Sequence, residues 1–277
     1  MVTMRRELIL ISGNDRRMRE RFVTPVAGIA YDDESRRQRG EKNADKLHHL
    51  MDMKGKRVLE IGCQYGDTTR ALVEKYDCEV VGIDIMRQDN WGELEKHPQI
   101  TLLEADIAKG HKSLAESSFD RIISFVVWEH IRHPWSALSQ CQKVLKPDGK
   151  KWLYANLYRS AIASHLTWAT KEPWPHLTMS PSEIKEATGL NELRWYFWVN
   201  KLTYQQYLFY FRQLGFYVTW EYFIQNFFDE EYYRKNEQSL GLYPEWDLKT
   251  DFFQVILEFD KENPKQPIPD PVYRLKK

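Results

Sequence analysis

The stretch VLEIGCQYGDTT, from Val58 to Thr69, sets an acid and two glycines where an apolar run gives way to a helix-like one. A strand, a glycine loop and a helix make a ligand site at the strand's carboxyl end. Glu60 stands two residues before Gly62, and Gly66 follows four residues after it. Two more acids close later apolar runs: Asp84 in CEVVGIDI and Asp106 in ITLLEADI. A dinucleotide loop reads Gly-x-Gly-x-x-Gly, and its middle glycine lets a pyrophosphate approach the backbone. Here Gln64 holds that place, and no Gly-Lys-Ser/Thr follows to make a phosphate loop. The loop therefore suits a nucleoside ligand without phosphates. A carboxylate at Glu60 repels a pyrophosphate and attracts an ammonium. A carboxylate at Asp84 accepts from both hydroxyls of a ribose. Asp106 accepts from an exocyclic amine, with Ile107 packing on a base.

Positioning these groups takes a sheet. RVLEIG, CEVVGIDI, ITLLEADI, FDRIISFVVW and KKWLYANLY read as buried strands. GDTTRALVEKY and SALSQCQKVL read as helices, the second stopped by Pro147 and Gly149, and NWGELEKH as a short one. Continuous apolar strands alternating with helices predict a mostly parallel sheet covered on both faces. LTYQQYLFYFRQLGFYVTWEYF resumes the helix-then-strand rhythm, and DFFQVILEF gives a last strand. The expectation is an α/β, Rossmann-like sheet of seven strands. Residues 1–50 read as a charged helical arm or lid, with Arg16, Arg17, Arg19 and Arg21 and then Arg36, Arg37 and Arg39, either a solvated surface or a source of one arginine for an anionic ligand group. Residues 51–260 form the main domain, with aromatic-rich insertions near 161–200 and 225–250. Residues 261–277 are a proline-rich tail.

In order and spacing, VLEIGCQYG, VVGIDI, LLEADI and FDRIISFVVWEHIRHP, followed by KPDGKKWLYA, resemble the class I S-adenosylmethionine-dependent methyltransferases over about residues 55–160. The FD…EH segment looks most like the small-molecule branch that includes ubiquinone-pathway enzymes. The ligand read from the acids alone agrees, since S-adenosylmethionine carries one cationic group, one ribose diol and one adenine. The resemblance implies that Glu60, Gly62 and Gly66 surround the methionine part. It implies that Asp84 binds the ribose, that Asp106 and Ile107 hold the adenine, and that Cys63, Gln64, Ile85, Phe125 and Val126 complete the lining. Two positions depart from the pattern. Gln64 replaces a common glycine, and Phe125 stands where a small polar residue is common, implying a drier wall near the sulfonium.

Methyl transfer to an alcohol needs a general base, and histidine titrates in the right range. His130, in WEHIRHP after the fourth strand, is the first candidate, with Glu129 either orienting it or facing solvent. His165 and His176, from the first insertion, are the alternatives. Trp168, Trp174, Trp195, Tyr196 and Trp198 either stack on a flat acceptor or a sugar face, or form a second hydrophobic core. Tyr204, Tyr207, Phe209, Tyr210 and Phe211 recur near helical spacing and read as core. The EPWPHL insertion after the FD…WEH core loosely resembles methyltransferases of bacterial polysaccharide gene clusters. That resemblance implies O-methylation of a sugar or glycan intermediate. An aromatic or polyketide-like acceptor and a non-catalytic cofactor-binding subunit stay as alternatives.

Composition narrows the partners. Lys plus Arg equals Asp plus Glu, 40 each among 277 residues, so no net positive charge speaks for a nucleic-acid partner. The fourth strand is not followed by the Asn/Asp/Ser-Pro-Pro-Tyr/Phe motif of amino-directed nucleic-acid enzymes. Three cysteines outside any CxxC pair fit a reducing cytoplasm. No run approaches the roughly 20 apolar residues of a membrane span, and no His/Cys spacing suggests a metal. Oligomerisation is left open.

Overall fold

Strands with apolar residues on both faces need cover on both sides, and the chain alternates strand and helix to supply it. The computed structural model describes residues 6–10, 32–163, 166–189, 200–225 and 228–259, with the backbone alone at 6–10, 168 and 169. The main elements are β1 (Arg6–Leu10), α1 (Asp33–Met51), β2 (Arg57–Ile61), α2 (Asp67–Tyr76), β3 (Glu79–Asp84), β4 (Ile100–Glu104) and β5 (Phe119–Ser124). After them come α3 (Pro134–Val144), β6 (Leu145–Asn156), α4 (Tyr204–Gln213), β7 (Phe216–Gln225) and β8 (Thr250–Phe259).

The strands lie side by side in the order β1-β7-β8-β6-β5-β2-β3-β4. β8 runs antiparallel to both β6 and β7, and the other pairs are parallel. The expected seven strands are β2 to β8. The eighth, β1, comes from the stretch assigned to the helical arm and pairs with β7 from Arg6↔Glu221 to Leu10↔Gln225. Five residues with a four-residue apolar run are too short to announce a strand; the unpaired edge of β7 supplies the backbone partners.

Helices α3 and α4 cover one face, over a core that includes Leu138, Tyr207, Phe211 and Phe253. Helices α1 and α2 cover the other, over Leu47, Leu72, Trp152 and Ile256. Helix α4 opens with a reciprocal cap, in which Thr203 Oγ1 accepts from Gln206 N and Gln206 Oε1 accepts from Thr203 N. Tyr204, Tyr207 and Phe211 are buried as expected, whereas Phe209 is 56% exposed. The apolar stripe of α4 is therefore narrower than its aromatic content suggested.

Helix α1 bears on the glycine loop. A Cβ at Gly40 would sit 2.5 Å from the Asp67 carbonyl carbon, so only a glycine lets α1 cross the start of α2 at this height. Around that crossing, Asn43 Nδ2 donates to Thr68 Oγ1 at 3.2 Å and Arg36 lies 4.0 Å over the Tyr65 ring and pairs with Asp67 at 3.4 Å. Arg37 pairs with Glu34 on the outer face. The arginines thus fasten α1 to itself and to the loop.

The described parts of the two aromatic-rich stretches pack on each other at the carboxyl edge of the sheet. Trp174 is fully buried with Ala161, Leu240 and Leu248, and its ring meets Phe228 and Tyr232. Of the two roles open to it, Trp174 takes the small-core one. Trp195, Tyr196 and Trp198 lie outside the described residues, as does the side chain of Trp168. Phe253 is wedged between Tyr204 and Tyr207 with no exposure. Phe253→Ala is expected to cost about 3–5 kcal/mol of unfolding free energy, read from urea titration.

Candidate cofactor and acceptor site

The chain runs from β2 out to β3 and β4, then returns to place β5 on the other side of β2. In an open α/β sheet such a reversal leaves a crevice beyond the strand ends. Gly62 stands in it. Its φ is +74°, and a Cβ there would lie 2.3 Å from Val127 Cγ2 in the turn after β5. The missing side chain thus lets the β2 and β5 loops close on each other. At Gly66, φ is +72° and a Cβ would meet Leu94 Cδ1 at 2.6 Å.

Gln64, between the glycines, also takes a left-handed backbone, with φ +44°. Its N–H donates to Asp84 Oδ2 at 3.0 Å and its carbonyl accepts from Trp91 Nε1 at 2.6 Å. Those two bonds hold a conformation that a non-glycine residue adopts at a cost. The Gln64 side chain is exposed. Cys63 is buried under the loop against Gly82, which makes room for its sulfur. Burial, with the charges of Glu60 and Asp84, drives the Cys63 thiol far above its usual range, so it stays protonated.

The acids sit at successive strand tips. Glu60 is 5% exposed and accepts from Thr69 Oγ1 at 2.5 Å, which ties β2 to α2. Burial pushes its carboxyl up to about 7, with Asp67 and Asp84 adding and Thr69 opposing. Asp84 ends β3, with Oδ2 on Gln64 N and Oδ1 on Met86 N at 3.2 Å. Next to it Ile85 and Met86 are 73% and 60% exposed. Apolar side chains displayed beside a carboxylate suit the flat face and ribose edge of a nucleoside. Asp106 Oδ1 accepts from Ala108 N at 3.0 Å and so starts the turn Ile107–Lys109. Ile107, expected on the base, is instead 4% exposed in the core under α3. The tight turn that Asp106 caps rotates it inward, while Ile85 just after β3 stays exposed. Acids, glycines and an exposed apolar rim together fit S-adenosylmethionine.

Beyond β5, Phe125 pairs with Tyr154 across the strand ends and Val126 takes φ +53°, its N–H bonded to Tyr154 O at 2.9 Å. A β-branched residue in that region is strained. It reverses the chain into the turn Trp128–His130. Trp128 is buried and donates to Ser124 Oγ at 2.5 Å. His130 is exposed at the rim, while Glu129 is 1% exposed and points inward, so it neither faces solvent nor reaches outward to orient His130. His176, in the insertion, has its Nε2 2.7 Å from Tyr158 O and its ring against the Tyr158 ring edge. Burial brings its pKa down to about 4, so it is neutral near pH 7. His165 lies outside the described residues.

The sequence did not single out Asn156 or Asn200. Asn200 donates from Nδ2 to Trp128 O and from its backbone N to Glu129 O, both at 2.5 Å, and its Oδ1 accepts from the Tyr207 hydroxyl at 3.2 Å. It clamps the β5 turn from 71 residues away, a relation no local pattern announces. Asn156, at the end of β6, donates to the carbonyl of Asp251 at 2.6 Å.

A crevice of this kind is the nucleoside edge of the class I S-adenosylmethionine-dependent methyltransferases, the class to which the motifs point. The chain belongs to the methyltransferase-domain family, whose model matches residues 35–207. It is similar to the cyclopropane mycolic acid synthase MmaA2 of Mycobacterium tuberculosis, 29% identical over 121 residues, covering 40% of each chain. It is also similar to the ubiquinone biosynthesis O-methyltransferase of Idiomarina loihiensis, 27% identical over 159 residues, covering 51% of this chain and 63% of that one. The matches thus span less than two thirds of these relatives. The PH0226 protein of Pyrococcus horikoshii OT3 shares the fold, with a TM-score of 0.54, 18% identity, and coverage of 83% of this chain and 93% of that one. Among the described residues no helix is long and apolar enough to cross a membrane. The three cysteines are free and buried.

Gly62→Ala, facing both the Val127 contact and a positive φ, is expected to abolish S-adenosylhomocysteine binding in calorimetry. Asp84→Ala is expected to weaken it by about 1–3 kcal/mol, from hydrogen bonds lost to the ligand and the loop. The raised Glu60 carboxyl gives a pH signature. Folded Glu60 keeps a proton between pH 4.5 and about 7 that the unfolded chain has released, so its contribution to stability falls as pH rises through that window. A cationic ligand favours the ionised form, so affinity for S-adenosylmethionine is expected to rise from pH 6 to pH 8. Glu60→Gln is expected to flatten that rise.

Proposed function

We propose that the chain is an S-adenosylmethionine-dependent methyltransferase that methylates a hydroxyl of a small molecule, with a sugar or glycan intermediate as the favoured acceptor. The observation that carries the acceptor class is a patch of buried polar side chains at the ends of β5 and β6 and the start of β8. Glu129, Asn156, Ser160 and Asp251 are each no more than 3% exposed. In that patch the carboxyl of Glu129 and Oδ1 of Asn156 lack side-chain donors, which favours an acceptor with hydroxyls over an apolar one. The ubiquinone-pathway relatives, O-methyltransferases by name, support oxygen as the receiving atom. A second reading, an aromatic acceptor, draws on Phe125 and Tyr154, whose rings stand edge to face 6.5 Å apart on the same rim.

Bound S-adenosylmethionine supplies an electrophilic methyl whose leaving group is a neutral thioether. The chain's own tasks are alignment, exclusion of water and acceptance of one proton. Phe125, Val126 and Val127 make the dry wall at the crevice. Asp84 and Glu60 hold the cationic nucleoside against it.

A labelled-methyl assay over methyl glycosides, nucleotide sugars and phenols tests the reading. The expected result is transfer to a sugar hydroxyl. Transfer to phenols alone would select the aromatic reading. Adenosylhomocysteine binding without transfer to any member would make the chain a cofactor-binding subunit.

A further inference from the structure

The turn after β5 buries an acid that no side chain of the protein partners. No side-chain donor reaches either carboxylate oxygen of Glu129, and Oδ1 of Asn156 is without a partner as well. Both side chains are more than nine-tenths buried. Buried acceptor oxygens without donors cost free energy, and native proteins keep few of them. The carboxyl is held in place by its backbone, since Asn200 bonds the carbonyls of both Trp128 and Glu129. Two residues earlier, Val127 touches the glycine cradle at Gly62. Two residues of extended chain span at most about 7 Å. The turn that carries Glu129 therefore begins at the wall of the crevice in which a methyl donor would sit.

We propose that Glu129 is the general base of the reaction and that Glu129 and Asn156 together bind the hydroxyls of the acceptor. The inference rests on the methyltransferase reading above and adds the group that receives the proton. In the step, the acceptor O–H bond breaks and its proton passes to a carboxylate oxygen of Glu129. The hydroxyl oxygen forms the new O–C bond with the methyl carbon. The C–S bond breaks with its electron pair remaining on sulfur as a neutral thioether. In its ionised, base-competent form Glu129 only accepts, as Asn156 Oδ1 does, and two such acceptors call for donors, which is the chemistry of a diol. A neighbouring hydroxyl of the acceptor donates to Asn156 Oδ1.

Burial also sets the working pH. It pushes the Glu129 carboxyl up to about 8, partly offset by the backbone N–H groups of Glu129 and Asn156. The titratable groups facing it are Tyr154 of β6 and Tyr207 of α4, with Asp251 of β8 beyond Tyr154 and His130 next in its own turn. Both tyrosines are held above their ordinary range by burial and stay neutral near pH 8.

The test measures Glu129→Gln, Glu129→Asp and His130→Ala for adenosylhomocysteine affinity by calorimetry and for turnover of whichever acceptor the labelled-methyl panel identifies. The expected result for Glu129→Gln is unchanged cofactor affinity, kcat reduced by about 10²–10⁴-fold, and loss of a wild-type pH–rate inflection near 8. Glu129→Asp is expected to recover part of kcat with the inflection retained, which a purely structural role would not produce. His130→Ala is expected to stay within about threefold of wild type. A Glu129→Gln enzyme near the wild-type rate, or one that loses cofactor affinity in parallel with activity, overturns the proposal while leaving the methyltransferase reading in place. So does a large loss in His130→Ala with an inflection in the ordinary imidazole range near about 6.5. Cofactor binding without wild-type transfer to any acceptor overturns the reading, and the proposal with it.

Discussion

The close approach of Gly62 to Val127 is the constraint from which the rest of this site follows. It brings the loop after β2 against the loop after β5 at the point where the strand order reverses. The Val127 side chain occupies the space a Cβ at Gly62 would need, so only a glycine lets the two loops meet. Around this contact the fold spends its unusual conformations: left-handed Gln64 on one side and left-handed Val126 on the other. Each is pinned by hydrogen bonds from a neighbouring strand tip or helix. Strain of this kind persists only where the surroundings over-determine it. Here the surroundings are Asp84 and Trp91 for Gln64, and Tyr154 for Val126.

Electrostatics then decides what the crevice accepts. Glu60, Asp84 and Asp106 end three adjacent strands, and Arg36 and Arg37 of α1 are engaged with Asp67, Tyr65 and Glu34. A phosphate finds repulsion there, and a sulfonium finds compensation. The same acids have structural work as well. Glu60 ties β2 to α2 through Thr69, Asp84 sets the glycine loop, and Asp106 starts a turn.

The β5 turn divides its two ionisable residues by environment. His130 lies on the exposed rim. Glu129 stands in a low-dielectric wall among Tyr154, Tyr207 and Asn156, where the neutral acid is favoured and each hydrogen bond counts for more. Neighbouring residues of similar chemical promise in the sequence thus become different in kind once one is turned inward. The clamp that turns it comes from Asn200, and beneath Asn200 from Tyr207.

Much of this was written in the chain itself. Apolar runs ending in Glu60, Asp84 and Asp106, with Gly62 and Gly66 between, fixed the sheet, its nucleoside edge and the charge of the ligand. Those features are local: period, punctuation and the acid at a strand end need only a few neighbouring residues to declare themselves. Strand β1 was not legible, because its five residues become a strand only through the open edge of β7. Ile107 and Trp174 were misplaced or left open because a side chain's facing depends on turns and on packing from distant segments. Asn200 and Asn156 carried no signal, since their roles exist only across the gaps that folding closes. The sequence by itself determined which ligand the edge of the sheet suits. Only the tertiary structure decided which side chains are starved of hydrogen-bond partners, because burial is a property of the whole packed molecule.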